Sequence, residues 1–292
     1  MHTVRKLSGL FAGEADAPVV VGVPKTIDND LPLTDHTPGY GSAAKYLAVT
    51  IGEIIRDTSI YAVPAVTIVE VMGRNAGWLT LAAALPRFVG GSKPDIIAIP
   101  EVPFDEGDFL RKVQDAHRRS PNVVAVVSEG VRDRNGNYVG SQTKSGAVDI
   151  FGHTYLSGVG KYLECLVKQE IGCKVRSIEL NLMQRCSAHL ASFQDLDEAF
   201  AIGQEGVAAA LRGESGKMVA VQRLSNNPYA IRLNTVEVSD VANKEQLVPE
   251  KWWNLDDTSV QAEICRYILP LMKGEVPQFK NEFGLNDYII FE

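Results

Sequence analysis

"AVTIVEVMGRNAGW", residues 65–78, opens as an almost unbroken run of apolar and β-branched side chains and closes on Gly73, Arg74 and Asn75. A run apolar at nearly every position, rather than at alternate ones, belongs to a strand covered on both faces, as in parallel sheets flanked by helices. The Gly73–Arg74 pair predicts a turn at the strand's C-terminal end, with a helix beginning near Asn75. Working outward, strands are expected in "PVVVGVP" (18–24), "DIIAIPEV" (95–102), "NVVAVVSEG" (122–130), "KVRSIELNL" (174–182) and "GKMVAVQRL" (216–224). Helical spacing lies between them, around 41–57, 76–87, 105–119, 156–171 and 195–212, and again near 259–271. The fold class is therefore α/β with mainly parallel sheets and helices on each side. The opening "MHTVRKLSGLFA" reads as a helix with no strand before it, and beyond about residue 240 the pattern turns irregular.

The 292 residues are 45% apolar and 22% charged, ordinary for a globular chain. A formal charge of -7 argues against nonspecific binding to nucleic acid or to an anionic membrane. The four cysteines form no CxxC pair, and reduced thiols in the cytoplasm are the expectation. The apolar runs are too short to span a bilayer, so no membrane association is expected.

The richest chemistry lies in "VPKTIDNDLPLTDHTPGYG" (23–41), where Asp28, Asp30 and Asp35 surround Lys25 and Thr26 just past a strand. Carboxylates beside a lysine and a threonine suit phosphoryl transfer: one takes a proton, another helps hold a metal, and the cation offsets phosphate charge. The ordinary alternative is that Asp and Asn only make turns and Lys25 is solvated. Arg74 has the guanidinium geometry to grip a phosphate, or it caps a turn. Glu129 follows a buried strand, where it is placed to accept hydrogen bonds from sugar hydroxyls, or it is only a helix-capping or turn acid. Arg176 and Arg185 flank a further strand. Each residue alone has a bland reading, but Asp28, Arg74, Glu129 and Arg185 recur at or past strand C-termini, the edge where α/β proteins bind ligands. No Walker loop, dinucleotide fingerprint or GxSxG nucleophile turn is present, which leaves an unrelated hydrolase a weak reading.

Taken together, "PKTIDND", "TDHTPGYGSA", "VEVMGRNAGWL", "SEG", "QRC" and "SGKMV" resemble the phosphofructokinase family in order and spacing, from the first residues to about residue 245. The resemblance implies a phosphofructokinase-like fold of two three-layer domains, the first of them incomplete. Residues 1–40 with 187–245 would form the remainder of the phosphate-donor domain, 41–186 the sugar-phosphate domain, and 246–292 a C-terminal extension. It implies transfer of a phosphoryl group to the C1 hydroxyl of fructose 6-phosphate, within glycolysis or gluconeogenesis, with Mg²⁺ as cofactor and a homo-oligomeric assembly. By resemblance Asp28 is the base, Thr26 and Ile27 line the transferred group, and Asp30 organises the Mg²⁺ site. Met72, Gly73, Arg74 and Glu129 would bind the sugar phosphate, together with residues 182–185, including Leu182 and Arg185. Lys25 stands where ATP-using bacterial members carry glycine, and some ATP-using members share the lysine. A cation there suits pyrophosphate, balancing charge on a leaving phosphate that has no adenosine to anchor it; ATP is the alternative donor.

Two departures qualify the resemblance. Leu182 and Ala65 replace a tyrosine or histidine and an arginine found in many members, which weakens the expected sugar-phosphate grip. Family members also open with a further segment carrying a glycine turn and a "GGD" metal aspartate, which "MHTVRKLSG" would directly follow. The expectation is therefore impaired transfer by the chain as it stands, with a non-catalytic sugar-phosphate-binding remnant as the competing reading.

Overall fold

The computed structural model describes residues 1–14, 16–89, 91–140 and 158–287. In chain order, α1 is His2–Leu10, β1 Val21–Gly22, α2 Tyr40–Ser59, β2 Ala65–Val71 and α3 Trp78–Leu81. Next come β3 Ile96–Ala98, α4 Glu106–His117, β4 Asn122–Ser128, α5 Val159–Glu170, β5 Lys174–Glu179 and α6 Met183–Cys186. The chain continues with α7 Phe193–Leu211, β6 Lys217–Asn226, β7 Tyr229–Glu237, α8 Val238–Val241 and α9 Thr258–Ile268.

The larger sheet has the order β3-β4-β2-β5 and is parallel throughout. β2 and β4 lie at its centre, in register from Ala65 opposite Asn122 to Val71 opposite Ser128. Each is buried at every position after its first, as the near-continuous apolar runs require. Their two faces feed two cores. Val66, Ile68, Val123, Ala125 and Val127 pack with Phe109 and Val113 of α4 and Leu163 and Val167 of α5. Val69, Val71, Val124 and Val126 pack on the other face with Leu47 and Ile51 of α2. Each fully buried aliphatic side chain contributes about 1.5–3 kcal/mol, and this three-layer packing supports the strands whose C-terminal ends form the cleft. α4 is started by Asp105, whose carboxylate accepts the Asp108 amide.

The smaller sheet has the order β1-β6-β7. β1 runs parallel to β6, while β6 and β7 form an antiparallel hairpin. The sheets are mainly parallel, as expected, but β7 and its antiparallel pairing with β6 were not foreseen. β7 alternates half-buried and exposed positions over much of its length, so it has no continuous apolar run to announce it. "PVVVGVP" likewise shortens to a two-residue strand: Pro18 and Pro24 have no amide to donate to a ladder, and Val19 and Val23 are exposed. Ile202 of α7 covers one face of the sheet with Val219 and Val221, and Met218, Ala220 and Val241 pack on the other.

The helix expected near Asn75 begins at Trp78 and runs into a 3₁₀ segment, Ala82–Val89, that contains Pro86. The stretch foreseen over 156–171 is α5, Val159–Glu170, with positions 156 and 157 outside the described residues. After residue 245 the chain packs back on the larger sheet's side. Val248, Trp252, Leu255, Ile264 and Ile268 share the core of α2, and Trp252 meets Trp78 edge-on at 6.0 Å. Among the described residues no helix is long and apolar enough to cross a membrane.

Candidate functional site

The C-terminal ends of β2, β4 and β5 open into one cleft of about 310 Å³, lined by Glu70, Met72, Arg74, Glu129, Leu182 and Arg185 among others. Its geometry starts at Gly73, whose φ of +129° belongs to glycine, and where a Cβ would stand 2.6 Å from the Ala76 carbonyl. The Gly73 carbonyl accepts the Ser128 hydroxyl at 2.6 Å, and Ser128 Oγ accepts the Gly130 amide at 3.2 Å. The ends of β2 and β4 are thereby stitched together. Gly130 lets the chain pass directly beneath Arg74, since a Cβ on it would lie 2.0 Å from the Arg74 carbonyl oxygen.

Arg74 Nε is buried and has no hydrogen-bond partner among the described residues. A desolvated guanidinium nitrogen left unpaired is costly, and an anion in the cleft would supply its acceptor. Glu129 accepts the Gly73 amide at a long 3.4 Å. Burial pushes the Glu129 carboxyl up despite that amide and Arg74. Buried Gln184, at the start of α6, accepts the Met72 amide at 3.1 Å and donates to the Asn181 carbonyl at 3.2 Å. It fixes the backbone from which Arg74 and Arg185 project. The resemblance took in Gln184 only as part of residues 182–185, and its hold on the Met72 backbone was not foreseen. Leu182 stands half-exposed at the mouth of the cleft.

Arg185 also lines a second cavity of about 420 Å³, shared with Lys25, Ile27, Gly39, Ser42 and Asp195. Asp28 sits electrostatically between the two, within the fields of Arg74, Lys25 and Arg185. Thr26 Oγ1 donates to Asp28 Oδ2 at 3.2 Å and accepts the Asp28 amide at 3.1 Å, a local turn that fixes the carboxylate. Burial raises the Asp28 carboxyl from its ordinary value, with the Thr26 hydroxyl and the three cations opposing. Asp30 is pushed up to about 6 by burial and by the charges of Asp28 and Glu245. Lys25 is exposed and makes no ion pair among the described residues.

Two expected groupings come apart. Asp35 does not join Asp28 and Asp30. It turns inward to His36 Nδ1 at 2.8 Å and accepts Arg223 Nε at 2.9 Å. Arg176 lies away from the cleft, beside Glu53, Asp57 and Thr67. The buried residues that hold the loop's far side, Asp195, Glu198 and Arg223, were not foreseen as part of the site. Asp195 accepts the amides of Gly39 (2.8 Å) and Ser42 (3.1 Å) and the Ser42 hydroxyl (2.5 Å), tying α7 to the first turn of α2. "SFQDLDEAF" reads only as an amphipathic helix start, so no local signal pointed to it.

This is an α/β fold with guanidinium and carboxylate groups gathered at a parallel sheet's C-terminal edge, next to a lysine–threonine–aspartate turn, the edge where α/β proteins place ligand sites. This chain belongs to the phosphofructokinase family, whose sequence profile matches residues 1–208. It is 38% identical over 264 residues to the pyrophosphate–fructose 6-phosphate 1-phosphotransferase of Halomonas elongata, covering 89% of this chain and 62% of that one. With the enzyme of the same name from Xanthomonas campestris it shares 41% identity over 271 residues, covering 92% and 64% respectively. The chain thus spans less than two thirds of the length of these curated relatives. Its fold overlays the crystal structure of a pyrophosphate-dependent phosphofructokinase from Nitrosospira multiformis with a TM-score of 0.82 and 31% identity, covering 98% of this chain and 68% of that one.

Proposed function

We propose that this chain carries the sugar-phosphate cleft and the catalytic loop of a pyrophosphate-dependent 6-phosphofructokinase acting in the cytoplasm. Residues 41–186 serve the sugar, and 1–40 with 187–245 serve the donor. The observation that carries this reading is the Asp28 carboxylate, clasped by Thr26 and lying in the fields of Lys25, Arg74 and Arg185. Arg74 and Arg185 hold the phosphate of fructose 6-phosphate, and Glu129 and the Gly73 turn take its hydroxyls. The C1 hydroxyl oxygen then attacks the terminal phosphorus of pyrophosphate. Its proton passes to Asp28, the bond to the bridging oxygen breaks, and inorganic phosphate leaves. Raising the Asp28 carboxyl by burial makes it a better proton acceptor. Lys25 offsets charge on the leaving phosphate. The names of the relatives from Halomonas elongata and Xanthomonas campestris support pyrophosphate over ATP.

Among the described residues no group of three His, Cys, Asp or Glu side chains forms a complete metal cage. Mg²⁺ needs only one or two carboxylates when phosphate oxygens and water complete its shell. The Asp30 carboxyl, raised by burial and by the charge of Asp28, fits such a partial site and is the residue that would hold the ion. A bound Mg²⁺ would neutralise the charge on pyrophosphate.

The test is formation of fructose 1,6-bisphosphate with Mg²⁺ and either pyrophosphate or ATP, for the wild-type chain and for Asp28→Asn. The reading expects a preference for pyrophosphate and a loss of about a hundredfold or more in turnover for the variant, with sugar-phosphate binding retained. Product formed equally by both proteins removes Asp28 as the base. A preference for ATP removes the pyrophosphate assignment.

A further inference from the structure

His36 is buried in the core beside the catalytic loop, with a carboxylate on each ring nitrogen. Nδ1 lies 2.8 Å from Asp35 Oδ2, and Nε2 lies 2.5 Å from Glu198 Oε2 on α7. A neutral imidazole has one N–H to give, so two carboxylate acceptors require both nitrogens to be protonated. The groups around it complete a balanced cluster. Arg223 of β6 donates Nε to Asp35, and Glu198 Oε1 accepts from Gln194 of α7 and from the Tyr229 hydroxyl of β7. Tyr267 of α9 donates its hydroxyl to the Asp35 carbonyl. Two cations thus face two carboxylates, and removing the His36 proton would leave a net buried negative charge.

The cluster holds residues 34–39, which in turn hold the loop of the proposed base. The Asp35 amide donates to the Val221 carbonyl at 2.8 Å, and the Val221 amide donates to Thr34 Oγ1 at 2.9 Å. From this segment the Thr37 amide donates to Asn29 Oδ1 at 3.0 Å, and the Thr37 hydroxyl donates to the Thr26 carbonyl at 2.7 Å. The Thr26 amide donates to the Pro38 carbonyl at 3.3 Å. Asn29, in the left-handed region at φ +56°, donates Nδ2 to the Tyr267 hydroxyl at 3.0 Å. Both ends of the Thr26–Asn29 turn are therefore pinned to a segment whose only buried cation of its own is His36.

We infer that His36 is a positioning residue: its imidazolium, shared by Asp35 and Glu198, fixes residues 34–39 and through them the Thr26–Asn29 turn that carries Asp28. The inference deepens the proposed phosphotransferase reading and rests on it for the role of Asp28. Burial disfavours the charge on His36, but the hydrogen bonds and charges of Asp35 and Glu198 outweigh it and raise the imidazolium pKa from its ordinary value. The clamp is thus complete below that raised pKa and loosens as the pH rises through it.

The experiment uses the full chain and begins with the ¹⁵N shifts of the His36 ring between pH 6 and 9. Both nitrogens should be protonated at pH 7.5; a ring that is neutral at that pH overturns the inference. Amide exchange is then compared for wild type, His36→Gln and the milder Glu198→Gln. The Thr26 and Thr37 amides should exchange at least tenfold faster in the variants, while those of β2 and β4 stay unchanged. Unchanged loop exchange in a folded variant contradicts the clamp. Fructose 6-phosphate affinity should stay within about twofold, because Arg74, Glu129 and Arg185 are untouched. Where turnover is measurable, Glu198→Gln should lower kcat about tenfold with little change in KM. A chain that transfers no phosphate at all contradicts the proposed function and leaves the ring and exchange results to decide the role of His36.

Discussion

Asp195→Ala should be among the most damaging single changes on the chain, although Asp195 touches none of the proposed reacting groups. Its buried carboxylate accepts three hydrogen bonds, from the Gly39 and Ser42 amides and the Ser42 hydroxyl, at the start of the 20-residue helix α2. Alanine leaves two part-buried amides at the start of the helix without their acceptor, on the wall of the second cavity. Each stranded buried donor costs about 1–3 kcal/mol, and the lost negative charge at a helix N-terminus about 0.5 kcal/mol more. The Ser42 hydroxyl can rotate away, so the expected total is about 3–5 kcal/mol, a large part of the roughly 5–15 kcal/mol that stabilises a folded domain. Asp195→Asn retains one acceptor and should cost about 1–2 kcal/mol. Urea unfolding followed by circular dichroism gives both numbers. A cycle with Ser42→Ala should show coupling of about 1 kcal/mol or more, as expected for residues in direct contact. An Asp195→Ala chain within about 1 kcal/mol of wild type would refute the idea that this carboxylate anchors α2.

Gly130→Ala should displace Arg74, because the added methyl would meet the Arg74 carbonyl carbon and oxygen at 2.5 and 2.0 Å and backbone has no room to yield. Fructose 6-phosphate affinity should fall at least tenfold, a loss of about 1.4 kcal/mol, and unchanged affinity would count against the tight passage. Glu70 is pushed up to about 7 by burial, against the Gly160 amide and with help from Glu179 and Glu129. The folded state then holds a proton that the unfolded state has lost between about pH 4.5 and 7, so stability from this group is full below that window and falls as pH rises through it. Glu70→Gln should match wild type near pH 5 and exceed it near pH 8 by at most about 3 kcal/mol. A difference that does not change with pH contradicts the assignment.

The centre of the larger sheet was legible because β2 and β4 are apolar almost continuously and each ends in a polar turn. Arg74 and Glu129 could therefore be read as cleft residues directly from the strands they follow. The smaller sheet was less legible. β7 is at most half-buried at any position, and β1 lies between two prolines, so neither has the pattern that marked the central strands. Asp35 was grouped with Asp28 and Asp30 because sequence proximity does not say to which side of a loop a side chain turns. Its partner His36 answers to Glu198, 162 positions away, and no local pattern links the two. Asp195 was invisible for a related reason. It acts by accepting backbone amides, a role any polar side chain can fill once the fold delivers it.

The central claim is that the cleft at the ends of β2, β4 and β5 binds a phosphorylated sugar through Arg74. Calorimetric titration of fructose 6-phosphate into the wild-type chain and into Arg74→Ala tests it without calling on the donor side. Loss of a charge-assisted contact of about 1.5–3 kcal/mol predicts roughly ten- to a hundredfold weaker binding in the variant, with the fold unchanged. Equal affinity in the two proteins, or no binding by the wild-type chain, would contradict the account.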